Sequence, residues 1–161
     1  MDLGKIAYVG KQAVLALLGE SSFAENIGHT SPNHHLSSFF KKLIAKTDGR
    51  IIFSVLPVHL YTIEGIFNAA KNSHRKVVVM GKKLQNIINM AIKENYNNIE
   101  EGQIGDLSNV NDHNSILLIS DDRSNAYNMF ERIIAGNDKF IKLNEHDTVC
   151  FAEPKYDENE K

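Results

Sequence analysis

Three short clusters in this chain combine residue types that can do chemistry: Glu20-Ser21-Ser22, Lys82-Lys83 and Ser120-Asp121-Asp122-Arg123-Ser124. Each follows an apolar run of strand length. Lys82, Lys83 and Arg123 beside the hydroxyls of Ser21, Ser22, Ser120 and Ser124 suit a phosphate, especially where backbone N–H groups are also free. The acids Glu20, Asp121 and Asp122 could orient a metal ligand or a base. Spacing alone does not separate such a site from the ordinary polarity of strand ends. Catalytic signatures of other kinds are missing: there is no Gly-rich phosphate loop, no G-x-S-x-G elbow and no H-x-H-x-D-H cluster. His34 and His35 are adjacent on an expected helix, so their side chains diverge by about 100° and chelate one ion poorly. His29 adds at most a second ligand. No metal ligands are assigned.

The elements that must position these clusters are organised around residues 50–84. An apolar, β-branched run at 51–56 stops at Pro57. The period then changes to about 3.6, with Leu60, Ile63, Ile66, Phe67 and Ala70 on one helical face. A second run, 77–80, closes at Gly81. Strand, helix and strand joined in this way form a βαβ unit, which packs right-handed with parallel strands. Ligands in open α/β sheets bind past the C-terminal strand ends, here residues 57–59 and 81–83.

On either side, the pattern predicts a short helix over residues 2–10 capped by Asp2, a buried strand over 13–18 and a loop over 23–30. Ser31-Pro32 is a helix start, followed by Leu36, Phe39, Phe40, Leu43 and Ile44 at helical spacing and a stop at Asp48-Gly49. Leu84, Ile87, Ile88, Ala91 and Ile92 mark another helix. Residues 100–114 read as a connection with one short element near 104–110. A buried strand spans 115–120, and Ala126, Met129, Phe130, Ile133 and Ile134 form the next helical face, ended by Gly136. Residues 139–143 and 148–152 read as a last pair of strands, and the tail from Lys155 as frayed. The sum is an α/β fold: a three-layer sandwich with a mostly parallel central sheet, in one domain over 1–161.

Composition narrows the partners. The 161 residues carry a net charge of −2, so any nucleic-acid contact must come from a local patch. The single cysteine, Cys150, excludes an internal disulfide and a multi-cysteine zinc site. It sits in a strand-like run and reads as an inert core thiol, with a reducing cytoplasm as the expected setting. No apolar stretch approaches the roughly 20 residues of a membrane span, and no signal-peptide pattern opens the chain.

Several segments resemble one family. Residues 17–25 (LLGESSFAE) resemble the L-L-S-D-S-T-N-x-E stretch of the ribonuclease J family, continued by Gly28-His29-Thr30. Asp48-Gly49-Arg50-Ile51-Ile52-Phe53 is similar to its G-R-[IV]-I-x-[AT] strand, and residues 75–82 (RKVVVMGK) to its R-K-V-A-V-x-G-R. Asp147-Thr148-Val149 fits its G-D-T-V strand, with His146 in the glycine's place. Order and spacing hold over nearly the whole chain.

The part resembled is the β-CASP domain, an α/β insertion in a metallo-β-lactamase fold. The resemblance implies that two zinc ions reside in a lactamase domain absent from this chain, and that the β-CASP part closes over the cleft and helps hold single-stranded RNA. It matches Glu20 to an acidic motif residue in a supporting catalytic role near the metals. It makes this chain one jaw of a zinc-dependent ribonuclease acting in RNA processing or decay, not catalytic by itself, since the metal-bound hydroxide lies elsewhere. Expected partners are single-stranded RNA, the parent lactamase domain, and a second copy or a paralogous ribonuclease J subunit.

The sequence also departs from the family. Its S-N-x-H-R is here Val58-His59-Leu60-Tyr61-Thr62, its T-G-S-Q-G-E-P loop is residues 120–126, and its G-T-H-R-Q is Gly136-Asn137-Asp138-Lys139-Phe140. Asp121 and Asp122 would repel phosphate, partly offset by Arg123. Core strands kept beside altered RNA-facing loops point to a divergent parent, weakly active or a non-catalytic paralogue with an assembly role. The other function compatible with the rim is a stand-alone nucleotide- or sugar-phosphate-binding module.

Overall fold

A computed structural model of the chain describes residues 2–19, 25, 27, 36–96, 99–120 and 128–152. Two compact units are distinguished, Met1–His34 and His35–Lys161. In the first, helix α1 (Leu3–Gly10) forms as its cap predicts, the Asp2 carboxylate accepting from the Lys5 amide at 3.1 Å. None of its residues is buried. The strand expected over 13–18 is not formed, and Leu15, Leu17 and Leu18 are fully exposed. Ala13 has φ +51°, which breaks an extended run at its start. Among the described residues of this unit no other strand is formed for the run to pair with.

The second unit holds α2 (Leu36–Lys46), β1 (Ile51–Val55), α3 (Leu60–Ser73), β2 (Val77–Val79), α4 (Lys82–Lys93), β3 (Ile116–Ile119), α5 (Asn128–Ile134) and β4 (Thr148–Ala152). Two 3-10 turns, Glu101–Gln103 and Leu107–Asn111, occupy the expected connection. The four strands make one sheet in the order β2-β3-β1-β4, and every pairing is parallel. Phe53 sits in register with Leu118 on one side and Cys150 on the other.

Period-two alternation divides the strand side chains between two cores. Ile51, Phe53, Val55, Val77, Val79, Ile116 and Leu118 pack against α2, α3 and α4. Ile52, Val78, Leu117 and Ile119 face Phe130 and Ile133 of α5, with Val110 and Ile141. Three layers result. β1 and β3 are buried on both faces, which is why they read as unbroken apolar runs rather than as alternating ones. Phe40 of α2 meets Phe53 edge-on, with ring centroids 5.6 Å apart, a geometry that adds to the area the two rings bury.

Residues 139–143 are not a strand, contrary to the pattern. Only Ile141 enters the core. The backbone around it is held by side chains instead: Asp138 accepts from the Phe140 and Ile141 amides, Asn111 donates to the Phe140 carbonyl at 2.7 Å, and Arg50 donates to the Lys142 carbonyl at 2.6 Å. Burial alone would raise the Asp138 pKa. The two amide donors and the Arg132 guanidinium outweigh it and hold the carboxyl below the ordinary value. β4 consequently pairs with β1, not with 139–143. The helix start expected at Ser31-Pro32, most of the loop over 23–30 and the tail from Lys155 lie outside the described residues.

Candidate phosphate-binding rim

All four strands point the same way, so their C-terminal ends share one edge of the sheet. At β2 the exit is tight. The Met80 amide donates to Leu118 O at 2.7 Å, prolonging the β2–β3 ladder. Gly81 then turns the chain with φ +102°, and α4 begins at Lys82. The Gln85 amide returns to Gly81 O at 3.0 Å and its side chain to Val79 O at 2.9 Å, locking the first turn of α4 onto the end of β2. A Cβ on Gly81 would lie 2.9 Å from Ser120 O. Glycine here serves two purposes: it permits the positive φ, and it lets the ends of β2 and β3 touch.

Lys82 and Lys83 are exposed on that first turn, and Ser120 is buried beside Gly81. Lys83 and Ser120 both have interaction partners. These three, Lys82, Lys83 and Ser120, are the predicted site residues that the structure places at one end of the β2–β3 pair. Glu20, Ser21, Ser22, Arg123 and Ser124 lie outside the described residues, as do Asp121 and Asp122. Two ammonium groups at a helix N-terminus oppose the helix dipole, by roughly 0.3–1 kcal/mol each at an exposed site. An anion bound there would relieve that opposition and collect the free amides as well.

At β1 the exit is looser. The His59 amide donates to Leu56 O at 3.0 Å and α3 starts at Leu60, leaving Val58 and Tyr61 exposed. In the sequence Gly81 marks the end of a strand and the start of the expected ligand edge at 81–83. Its role in positioning Lys82 shows only once β3 is known to lie beside β2. Gly81→Ala is expected to lose about 1–3 kcal/mol of stability, from strain at positive φ and contact with the Ser120 carbonyl. Urea denaturation checks this, with Gly102→Ala as a control because nothing lies within 4 Å of a Cβ there.

The opposite edge is structural. Arg50 is 1% exposed, and its Nε and both terminal nitrogens bond to Asp147, Val110 O, Asn111 and Lys142 O. Arg75 donates to Gly49 O at 2.8 Å and also to Thr47 O; desolvation lowers its pKa, partly countered by Asp48. The D-G-R, R-K-V and D-T-V segments therefore fix where strands begin. Cys150 is half-buried against the α2–α4 core, and burial pushes its thiol pKa up, which disfavours the reactive thiolate. Among the described residues no three His, Cys, Asp or Glu side chains gather as metal ligands, and no helix is long and apolar enough to cross a membrane.

A sequence model described as "Ribonuclease J, beta-CASP domain" matches residues 48–161. Ribonuclease J 2 of Streptococcus pyogenes serotype M3 is 27% identical over 152 residues, 92% of this chain and 28% of that protein. Ribonuclease J2 of Bacillus subtilis and Ribonuclease J 1 of the same streptococcus are each 26% identical over 154 residues, covering 94% of this chain and 28% of theirs. The chain thus spans somewhat over a quarter of the length of these relatives. With the family match beginning at residue 48, Glu20 falls upstream of it. On that match, and on the parallel sandwich that carries its motifs, the chain belongs to the ribonuclease J β-CASP domain family.

Proposed function

We propose that this domain is the RNA-holding jaw of a ribonuclease J-like protein that processes or degrades RNA in the cytoplasm. In this reading a single-stranded phosphate backbone lies across the C-terminal strand rim, with Lys82 and Lys83 as cationic contacts and Ser120 as the support behind them. Ser21, Ser22, Arg123 and Ser124 are the further contacts expected, and Glu20 the acid facing the metals. The observation that supports it is the pairing of a family match over 48–161 with a β2–α4 exit that presents two lysines at a helix N-terminus. The described residues do not fit a zinc centre. Zinc is assigned to the lactamase domain of the parent, and with it the hydrolytic step. Association with a second copy or a paralogous ribonuclease J subunit belongs to the same proposal.

An NMR titration of the chain with a short single-stranded oligoribonucleotide tests the assignment. Amide shifts are expected at Gly81, Lys82, Lys83 and Ser120, with none around Arg50 and Arg75 at the other edge. Shifts confined to the Arg50 edge would reject the rim.

A further inference from the structure

The net charge of −2 conceals a division within the domain. Residues 36–96 hold ten Lys or Arg against three Asp or Glu, whereas residues 99–152 hold four against ten. The first stretch builds α2, α3 and α4 on one face of the sheet. The second builds α5 on the other, while its start, with Ile99 and Ile104, packs on the α2–α4 side and brings Glu100 to Lys71. Arg50 and Arg75 are buried, Lys71 pairs with Glu100 at 2.5 Å, and Lys76 donates to Gly102 O at 2.6 Å. The exposed cations of α2 and α4 are Lys41, Lys42, Lys46, Lys82, Lys83 and Lys93; the half-buried Glu64 is the one acid within the three helices, with Asp48 and Glu94 just past the ends of α2 and α4.

Helix dipoles explain part of this pattern. Lys46 and Lys93 sit in last turns, where a cation is favourable. Lys41 and Lys42 do not. α2 contains no acidic residue, so none of its three lysines has an i,i+4 partner, and Lys42 and Lys46 repel each other at that spacing. The cost to the helix is a few tenths of a kcal/mol per pair, and among the described residues no ion pair to these lysines returns it. From Lys82 to Lys93 α4 extends the basic surface about 16 Å away from the rim. Every exposed cation on these helices is lysine, a point charge without the planar fork that reads a fixed geometry.

We propose that the outer face of the α2–α4 layer is an accessory binding surface for the phosphate backbone of RNA, separate from the rim and indifferent to base sequence. It rests on the reading of the chain as an RNA-holding domain. It adds a place for polymer extending beyond the strand rim, where electrostatic contacts position the backbone without reading bases.

Fluorescence anisotropy on the whole chain tests it, using single-stranded oligoribonucleotides of about 5 and about 30 nucleotides, the shorter near the size of one compact site. The triple variant Lys41→Gln, Lys42→Gln, Lys46→Gln is expected to bind the long oligomer about tenfold more weakly at about 100 mM salt. Its slope of log K against log salt should be shallower by about 2, near 0.7 per neutralised phosphate. Short-oligomer binding should be unchanged, and the corresponding triple Lys→Arg variant should bind both like the parent chain. Lys82→Gln should weaken both oligomers.

If the glutamine triple variant binds the long oligomer with unaltered affinity and slope while Lys82→Gln weakens the short one, the accessory surface is refuted and the rim stands. The converse pattern refutes the rim and keeps the surface. No binding of either oligomer at low salt refutes both. Self-association by light scattering that vanishes in the triple variant, with RNA binding intact, assigns the basic face to a second copy of the chain and overturns the proposal.

Discussion

Replacing Arg50 by methionine is expected to destabilise the α/β unit by about 3–5 kcal/mol, the range for breaking one side of a buried ion pair. The guanidinium is 1% exposed and the Asp147 side chain 5%. Both carboxylate oxygens accept from Arg50, one from Nε at 3.0 Å and one from a terminal nitrogen. The other terminal nitrogen reaches Val110 O at 2.7 Å and the Asn111 amide oxygen at 2.9 Å. One side chain thus joins the start of β1 to the turn before β4, the second 3-10 turn and the irregular stretch around Lys142. Methionine fills much of the volume but leaves a carboxylate without its cation and two carbonyls without a donor. Arg50→Lys should recover only a minor part, because one ammonium cannot serve partners spread around a planar fork. Removing both charges, as in Arg50→Met with Asp147→Leu, should cost less than Arg50→Met alone. Urea melts followed by circular dichroism measure all three. A loss below about 1 kcal/mol for Arg50→Met would mean that the network is solvated, which its burial opposes.

The same network explains how far the fold could be read from the residues. β1, β2, β3 and the α3 face were legible because a strand buried on both sides, or a helix with one buried stripe, writes its environment into consecutive side chains. Residues 139–143 carried comparable apolarity, yet a ladder there was pre-empted. Arg50, Asn111 and Asp138, distant or adjacent in sequence, hold that backbone, and no periodicity announces such partners. Residues 13–18 failed for a different reason: an apolar run specifies burial, but only a neighbouring strand can supply its hydrogen bonds. At the rim, Lys82 and Lys83 were legible from following a strand, whereas the role of Gly81 depended on strand order, which local pattern does not encode. The basic character of α2 and α4 was hidden in the total of −2 and emerged once each helix was assigned to a face.

Gly49→Ala should be nearly as damaging as the loss of Arg50, at about 3 kcal/mol, the upper part of the range for overpacking a tight site. A Cβ at this position would stand 2.1 Å from the carbonyl oxygen of His146 and 3.0 Å from its carbonyl carbon. Backbone, unlike the end of a flexible side chain, has little room to yield, and this backbone is tied down. The Asp147 amide donates to Asn144 O at 3.0 Å, the Asn144 amide to the Asp147 carboxylate at 2.8 Å, and Thr148 N to Arg50 O at 2.9 Å. For the methyl group to fit, the 144–147 turn must move away from β1, stretching the Arg50–Asp147 pair and the first rung of the β1–β4 ladder. Gly49 and Arg50 should therefore be coupled: the double variant Gly49→Ala, Arg50→Met should lose about 1 kcal/mol less than the two single losses together, since the second change acts on a turn already released. Strict additivity would show that the turn is not held through Arg50. A positive coupling, with rim amide shifts on RNA addition unchanged in Gly49→Ala, would place the D-G-R motif in the scaffold, where its job is to set the register in which β4 joins the sheet.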